Sequence, residues 1–152
     1  LLFIITSCDF TPRIHQKILV AQAYIKEQSY DKAVLQYLEI LEEVPPKDIK
    51  IKIYYQLGEL YAISLGEYRK GISFYEKIRT LTTEPVWLVK TQERVGEIAY
   101  TYIKDFEKSE DIYKELTSFK PKLSNYDLYE YRYANSLLNQ NKFEQWNIYS
   151  SR

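Results

Sequence analysis

Methionine is absent from this 152-residue sequence, and histidine and cysteine occur once each, as His15 and Cys8. That scarcity excludes a zinc site built from several Cys and His ligands and argues against a Cys–His nucleophilic pair. His15 falls on the first turn of the first expected helix and reads as a solvated surface residue. Glycine is limited to Gly58, Gly66, Gly71 and Gly96, none in a phosphate-cradling pattern. Neither sign of charge prevails, because 21 basic residues balance 21 acidic ones, so no electrostatic footprint for nucleic acid is present. The carboxylate pairs Glu42–Glu43 and Glu107/Glu110–Asp111 fall on helix faces expected to be exposed, where solvation is their ordinary role. The sequence therefore reads as a non-enzyme with no cofactor and no metal.

Tyrosine, by contrast, is abundant, with 16 residues, and a short phrase recurs. Its copies are Tyr30-Asp-Lys-Ala33 with Tyr37, Tyr68-Arg-Lys-Gly71 with Tyr75, Phe106-Glu-Lys-Ser109 with Tyr113, and a degraded Phe143-Glu-Gln-Trp146 with Ser150. The leading aromatics are 38, 38 and 37 residues apart. A fixed period in this range marks stacked pairs of helices, an architecture whose usual work is to present a surface to another protein.

Local patterning agrees. Ile14, Ile18, Ala21, Tyr24 and Ile25 recur at helical spacing after Pro12, and Ala33, Tyr37, Ile40 and Leu41 follow in a second helix ended by Val44-Pro45-Pro46. The second unit carries Ile51, Tyr54, Leu57, Gly58 and Tyr61, turns at Leu65-Gly66-Glu67, and returns through Gly71, Tyr75 and Ile78. The third runs from Val86 and Trp87 past Val95, Gly96 and Tyr100, then back through Ser109, Tyr113 and Leu116. A last full helix is expected over Tyr126 to Asn139, followed by a short one from about Lys142. From Gly58 to Tyr68 and from Gly96 to Phe106 the chain spans ten positions, against nine from Ala21 to Tyr30. The extra residue is expected in the turn inside each of these units. The fourth unit carries Trp146 where a small residue is expected, and it reads either as a cap over the end of the stack, the favoured reading, or as a terminal remnant packed differently.

These positions resemble the tetratricopeptide repeat over about residues 14–150. The family pattern of a large residue, Leu-Gly and an aromatic, then an aromatic, Ala, an aromatic and a late Pro, is matched by Tyr54, Leu57, Gly58, Tyr61, Tyr68, Gly71 and Tyr75 in unit two. Units one and three match at Ala21, Tyr24, Tyr30, Ala33, Tyr37, Pro45 and at Val95, Gly96, Phe106, Ser109, Tyr113, Pro121. The period is longer than the family's roughly 34 residues. The resemblance implies an all-α fold, a right-handed α-solenoid of antiparallel helix pairs, with three full repeats plus a partial fourth. Its concave face would be lined by the first helix of each unit: Gln22 and Lys26, then Lys52, Tyr55 and Glu59, then Lys90, Glu93 and Glu97, and last Tyr131 and Asn135. His15, Ile18, Ala62, Thr101 and Leu128 belong to the same expected face. The Lys/Asn clamp that some members use for a peptide carboxylate is not reproduced.

The first residues carry a second resemblance. Leu1-Leu2-Phe3-Ile4-Ile5 is too short to span a bilayer, which takes about 20 residues. Ile5-Thr6-Ser7-Cys8 is similar to the bacterial lipobox. By that likeness residues 1–7 are a signal-peptide remnant, the Cys8 thiol carries lipid, and 8–13 is an anchor and spacer before a helical domain over 14–152. Asp9 resembles an inner-membrane retention signal of some bacteria. A lipid anchor followed by such repeats looks like the envelope lipoproteins of the BamD type, which serve outer-membrane β-barrel assembly. The resemblance implies a scaffold facing the periplasm, on the outer rather than the inner membrane, bound to other envelope proteins such as a barrel-assembly core protein. The alternatives are a scaffold for secretion, motility or cell-wall machinery, and a lipoprotein that captures a peptide or small ligand.

Overall fold

The computed structural model describes residues 11–151, and all regular structure among them is helical. The helices are α1 (Thr11–Lys26), α2 (Tyr30–Glu42), α3 (Lys47–Glu59), α4 (Tyr68–Leu81), α5 (Pro85–Glu97), α6 (Phe106–Ser118), α7 (Tyr126–Asn139) and α8 (Phe143–Ser150). Two π-helical turns, Leu60–Ser64 and Ile98–Ile103, extend α3 and α5. The expected signal remnant, the greater part of the spacer and Cys8 lie outside the described residues, as does the side chain of Trp146 and with it the expected cap. No described helix is long and apolar enough to cross a membrane.

Local chemistry sets the boundaries. Pro12 lies in the first turn of α1, Pro46 directly precedes α3, and Pro85 opens α5, all places where a missing N–H costs no helical bond. The Asp105 carboxylate accepts the Lys108 backbone N–H at 3.1 Å and caps α6. Helix α2 buries Ala33, Val34, Tyr37 and Ile40, one stripe at helical spacing.

Packing runs between sequence neighbours: α1 with α2, α3 with α4, α5 with α6, and α6 with α7, joined by α4 against α5. Two apolar clusters result. One gathers Ile14, Tyr37, Ile40 and Leu57, and the other gathers Tyr75, Ile98, Tyr113, Leu116 and Leu137. Tyr37, Tyr75 and Tyr113, spaced by the repeat, are among the largest fully buried side chains. Small residues let the helices close on them. A Cβ at Gly58 would stand 2.6 Å from the Tyr75 ring, and one at Gly71 only 2.5 Å from the Ala62 Cβ.

The extra residue of units two and three is not in the turn, and here the sequence expectation is corrected. All four turns are alike. Gln28, Gly66, Lys104 and Asn141 adopt positive φ of 58°, 71°, 59° and 59°, each two residues before its aromatic at Tyr30, Tyr68, Phe106 or Phe143. The difference lies upstream: Ala21 to Gln28 and Ala134 to Asn141 span seven positions, while Gly58 to Gly66 and Gly96 to Lys104 span eight. A π turn accommodates one residue more than an α turn, and it occurs in these two units only among the described residues. The wider turns close through Leu65 N–H to Leu60 O at 2.9 Å, Glu67 N–H to Tyr61 O at 2.7 Å and Asp105 N–H to Ala99 O at 2.9 Å.

Candidate functional site

Helices α1, α3, α5 and α7 line two adjoining clefts. Their members share the period of the repeat, so equivalent side chains fall on one face. The first, about 260 Å³, is lined by Ile18 and Gln22 of α1, Lys52, Tyr55 and Gln56 of α3, and Trp87 and Lys90 of α5. The second, about 360 Å³, is lined by Tyr55, Lys90, Glu93, Arg94 and Glu97, by Asn125 just before α7, and by Leu128, Tyr129 and Arg132 in its first half. Tyr55 and Lys90 belong to both.

At that junction the Lys90 ammonium stands 4.2 Å from the centre of the Tyr55 ring and 5.4 Å from that of Trp87, while Tyr55 meets Tyr75 edge-on at 5.4 Å. Such contacts hold a flexible lysine at an aromatic surface. Burial is the first cause of the upward shift of the Tyr55 hydroxyl pKa, with the Glu59 charge behind it.

Carboxylates and cations on this face are arranged unevenly. Glu59 accepts Arg94 Nε at 2.7 Å, Arg94 Nη2 at 2.6 Å and the Tyr75 hydroxyl at 2.5 Å. The remaining Arg94 fork reaches Glu97 at 3.0 Å. Two acids and one guanidinium thus fix α3 to α5 by bidentate geometry. The bond and charge of Glu59 raise the Arg94 pKa; burial first, then Glu59, raises that of Tyr75. Glu93 accepts the Tyr129 hydroxyl and, at 3.2 Å, Asn125 Nδ2, joining α5 to α7. Burial and that bond push Tyr129 up to about 12. Arg132 is held differently: Nη1 donates to the Tyr113 hydroxyl at 2.6 Å, and the guanidinium lies 5.4 Å and 5.5 Å from the Tyr100 and Tyr113 ring centres.

The residues expected on the face divide accordingly. Gln22, Lys52, Tyr55, Lys90, Glu93 and Glu97 line the clefts, and Glu59, which lines neither, accepts from Arg94 of the second. Lys26, the last residue of α1, is exposed and lines neither. Tyr131, 62% exposed, and Asn135, half-buried, also line neither. The reason is positional: Tyr131 and Asn135 repeat Glu93 and Glu97, which face onward to the next unit's first helix, and among the described residues no such helix follows α7. Asn125, Leu128 and Arg132 instead repeat Trp87, Lys90 and Arg94. Trp87, Arg94, Tyr129 and Arg132 were not expected on the face, although the 38-residue interval between Arg94 and Arg132 was there to be read.

Among the described residues no group of three or more His, Cys, Asp or Glu side chains could hold a metal ion. His15 is exposed near the start of α1, just past its first turn. No protein-family model matches the chain, and no curated protein matches it significantly.

Proposed function

We propose that the chain is a tetratricopeptide-like right-handed solenoid, three full repeats and a partial fourth, that serves as an interaction scaffold with no catalytic role and no cofactor. In this reading the lipid on Cys8 anchors it in the bacterial envelope, facing the periplasm and on the outer membrane. Its most specific form is a BamD-type component of β-barrel assembly, with other envelope machinery as the alternative.

The observation that carries the scaffold reading is the continuous face built on Tyr55 and Lys90. Tyrosine, tryptophan and arginine are the residues that anchor partner segments, because they bury large area with few rotamers to freeze. On this face their charged neighbours are already tied to one another, through Glu59–Arg94–Glu97 and Glu93–Tyr129. A partner would meet a rigid, mixed-charge surface, which supports an extended peptide segment better than a single small anion.

Mild detergent extraction of the native lipoprotein, followed by identification of what co-purifies, tests both levels. A stable complex lost in Tyr55→Ala and Lys90→Ala supports the scaffold reading; a complex indifferent to both would sink it. Recovery of partners without any barrel-assembly component removes the BamD-type assignment alone. A Cys8→Ala variant should be released from membranes, and its retention would overturn the anchor.

A further inference from the structure

Apart from that face, a cavity of about 200 Å³ lies between α4, α5 and α6. Its origin can be traced through the repeat. In unit two, the rings of Tyr54 and Phe74 lie 6.1 Å apart, with Lys77 Nζ 5.9 Å from the Tyr54 ring. Moving on by 38 residues turns these three into Gln92, Ile112 and Glu115, and all three line the cavity. An amide and a branched aliphatic therefore stand where two aromatic rings fill the equivalent place, and the space left is that of a ring.

Gln92 is only 2% exposed, yet neither its Nε2 nor its Oε1 has a hydrogen-bond partner among the described residues. Buried amides are almost always satisfied, so this one marks a place where a partner is missing. Tyr75, Val95 and Ile112 give apolar walls. The ion pairs Lys108–Glu76 and Arg79–Glu115, the second at 3.5 Å, tie α4 to α6 beside the cavity and cancel each other's charge. Asp111 adds a negative charge to the lining, which disfavours an anion.

We propose that this cavity binds a small, neutral, flat ring carrying an adjacent donor and acceptor, an amide or imide edge that pairs with the Gln92 side chain. The dimensions suit it, since a cavity of about 150 Å³ holds benzene. The ring takes the place of the missing aromatics, and a turn of the buried Gln92 amide into the cavity lets the edge give it both of its bonds. The flanking ion pairs are half-exposed surface pairs, which open at little cost.

Benzamide titrated into the full chain tests this, with amide chemical shifts read by NMR and with toluene and benzoate as comparison probes. The expected result is a saturable shift in α4, α5 and α6 with benzamide, weaker by about tenfold in Gln92→Leu, because that variant cannot pair with the edge. Gln92→Tyr restores the residue type found at position 54 and fills the space, so it should abolish binding in a protein that still melts cooperatively. The proposal is overturned if benzamide gives no saturable shift, which is also the outcome if a water molecule already satisfies Gln92. It is equally overturned if toluene or benzoate binds as tightly, or if Gln92→Leu binds benzamide as well as the unmodified chain does.

Discussion

Replacing Gly71 by alanine sets two effects of opposite sign against each other. In a helix interior alanine is favoured over glycine by about 1 kcal/mol. Against this, the new Cβ would stand 2.5 Å from the Ala62 Cβ, 2.9 Å from the Ala62 backbone nitrogen and 2.9 Å from the Gly58 carbonyl oxygen. Unstrained carbon contacts are at about 3.5–4.0 Å. None of these atoms lies at the end of a flexible side chain, so relief requires α4 to move away from the π turn that follows α3. Overpacking of this kind costs roughly 1–3 kcal/mol, and a clash with fixed atoms belongs at the upper end. The net is a loss of about 2 kcal/mol, or about 4–8 °C in Tm for a domain of this size. Thermal and urea unfolding followed by circular dichroism measures it. Gly71→Ala at or above the stability of the unmodified chain would refute the close-approach reading, because propensity alone would then decide the sign.

The turns give a matched pair of expectations. Gly66 has φ 71° with nothing within 4 Å of an added Cβ, so Gly66→Ala should cost about 1 kcal/mol from backbone strain alone, whereas Lys104→Gly, at φ 59°, should be neutral or stabilising by up to about 1 kcal/mol, both read from urea midpoints. Glu59→Ala strips an acceptor from Arg94 and Tyr75. The Arg94 and Glu59 side chains are 33% and 25% exposed, so water compensates in part and the loss should be about 1–2 kcal/mol, with a Glu59/Arg94 double-mutant cycle giving the pairwise share. Stability should also fall in alkali. The Tyr129 hydroxyl is held up to about 12, against an ordinary value of about 10, and burial raises Tyr37, Tyr75 and Tyr113 in the same direction. The folded state thus holds these protons more tightly than the unfolded chain, so their contribution is whole below about pH 10, and that of Tyr129 is lost as pH rises through about 12. Urea midpoints taken alongside tyrosinate absorbance check this, and a midpoint unchanged across that window would contradict it.

What the sequence made legible was the part governed by short-range pattern. The α7 boundaries, Tyr126 and Asn139, and the pairing of helices across Tyr30, Tyr68 and Phe106 followed from apolar spacing and from prolines at Pro46 and Pro85, which act within one turn. The location of the extra residue did not, because composition alone does not distinguish a longer loop from a wider helical turn. Ile98–Ile103 contains ordinary helix-compatible residues, and only the common positive-φ position two residues before each aromatic shows the turn to be unchanged. Which residues line the clefts was legible in part. Repeat equivalence led to Tyr55, Lys90 and Glu93, which line the clefts, while Tyr131 and Asn135 line neither, because among the described residues no further first helix faces them. Gln92 was invisible for another reason: a glutamine is unremarkable in a helix until its burial at 2% and its missing partners are known.

The π turns connect the fold to the candidate face. Each begins directly after a carboxylate bound to Arg94, Glu59 or Glu97, so the cleft positions of α3 and α5 keep the register set by Gly58 and Gly96. Only what lies beyond is shifted. In unit three that segment carries Tyr100, whose ring meets Phe106 and Tyr113 edge-on at 6.0 Å and 6.4 Å and lies under the Arg132 guanidinium. It also carries Tyr102, stacked on Tyr68 of the preceding unit at 4.8 Å. In unit two the position equivalent to Tyr100 is Ala62, which packs against Gly71 instead. The same inserted residue therefore closes two helices together in one unit and builds a tyrosine seat for an arginine in the next. The two clefts consequently differ in kind: one centres on a lysine against Tyr55 and Trp87, the other adds an arginine fixed by Tyr100 and Tyr113. A partner segment lying along both would find its direction set by that difference, since reversing it would exchange the two cations.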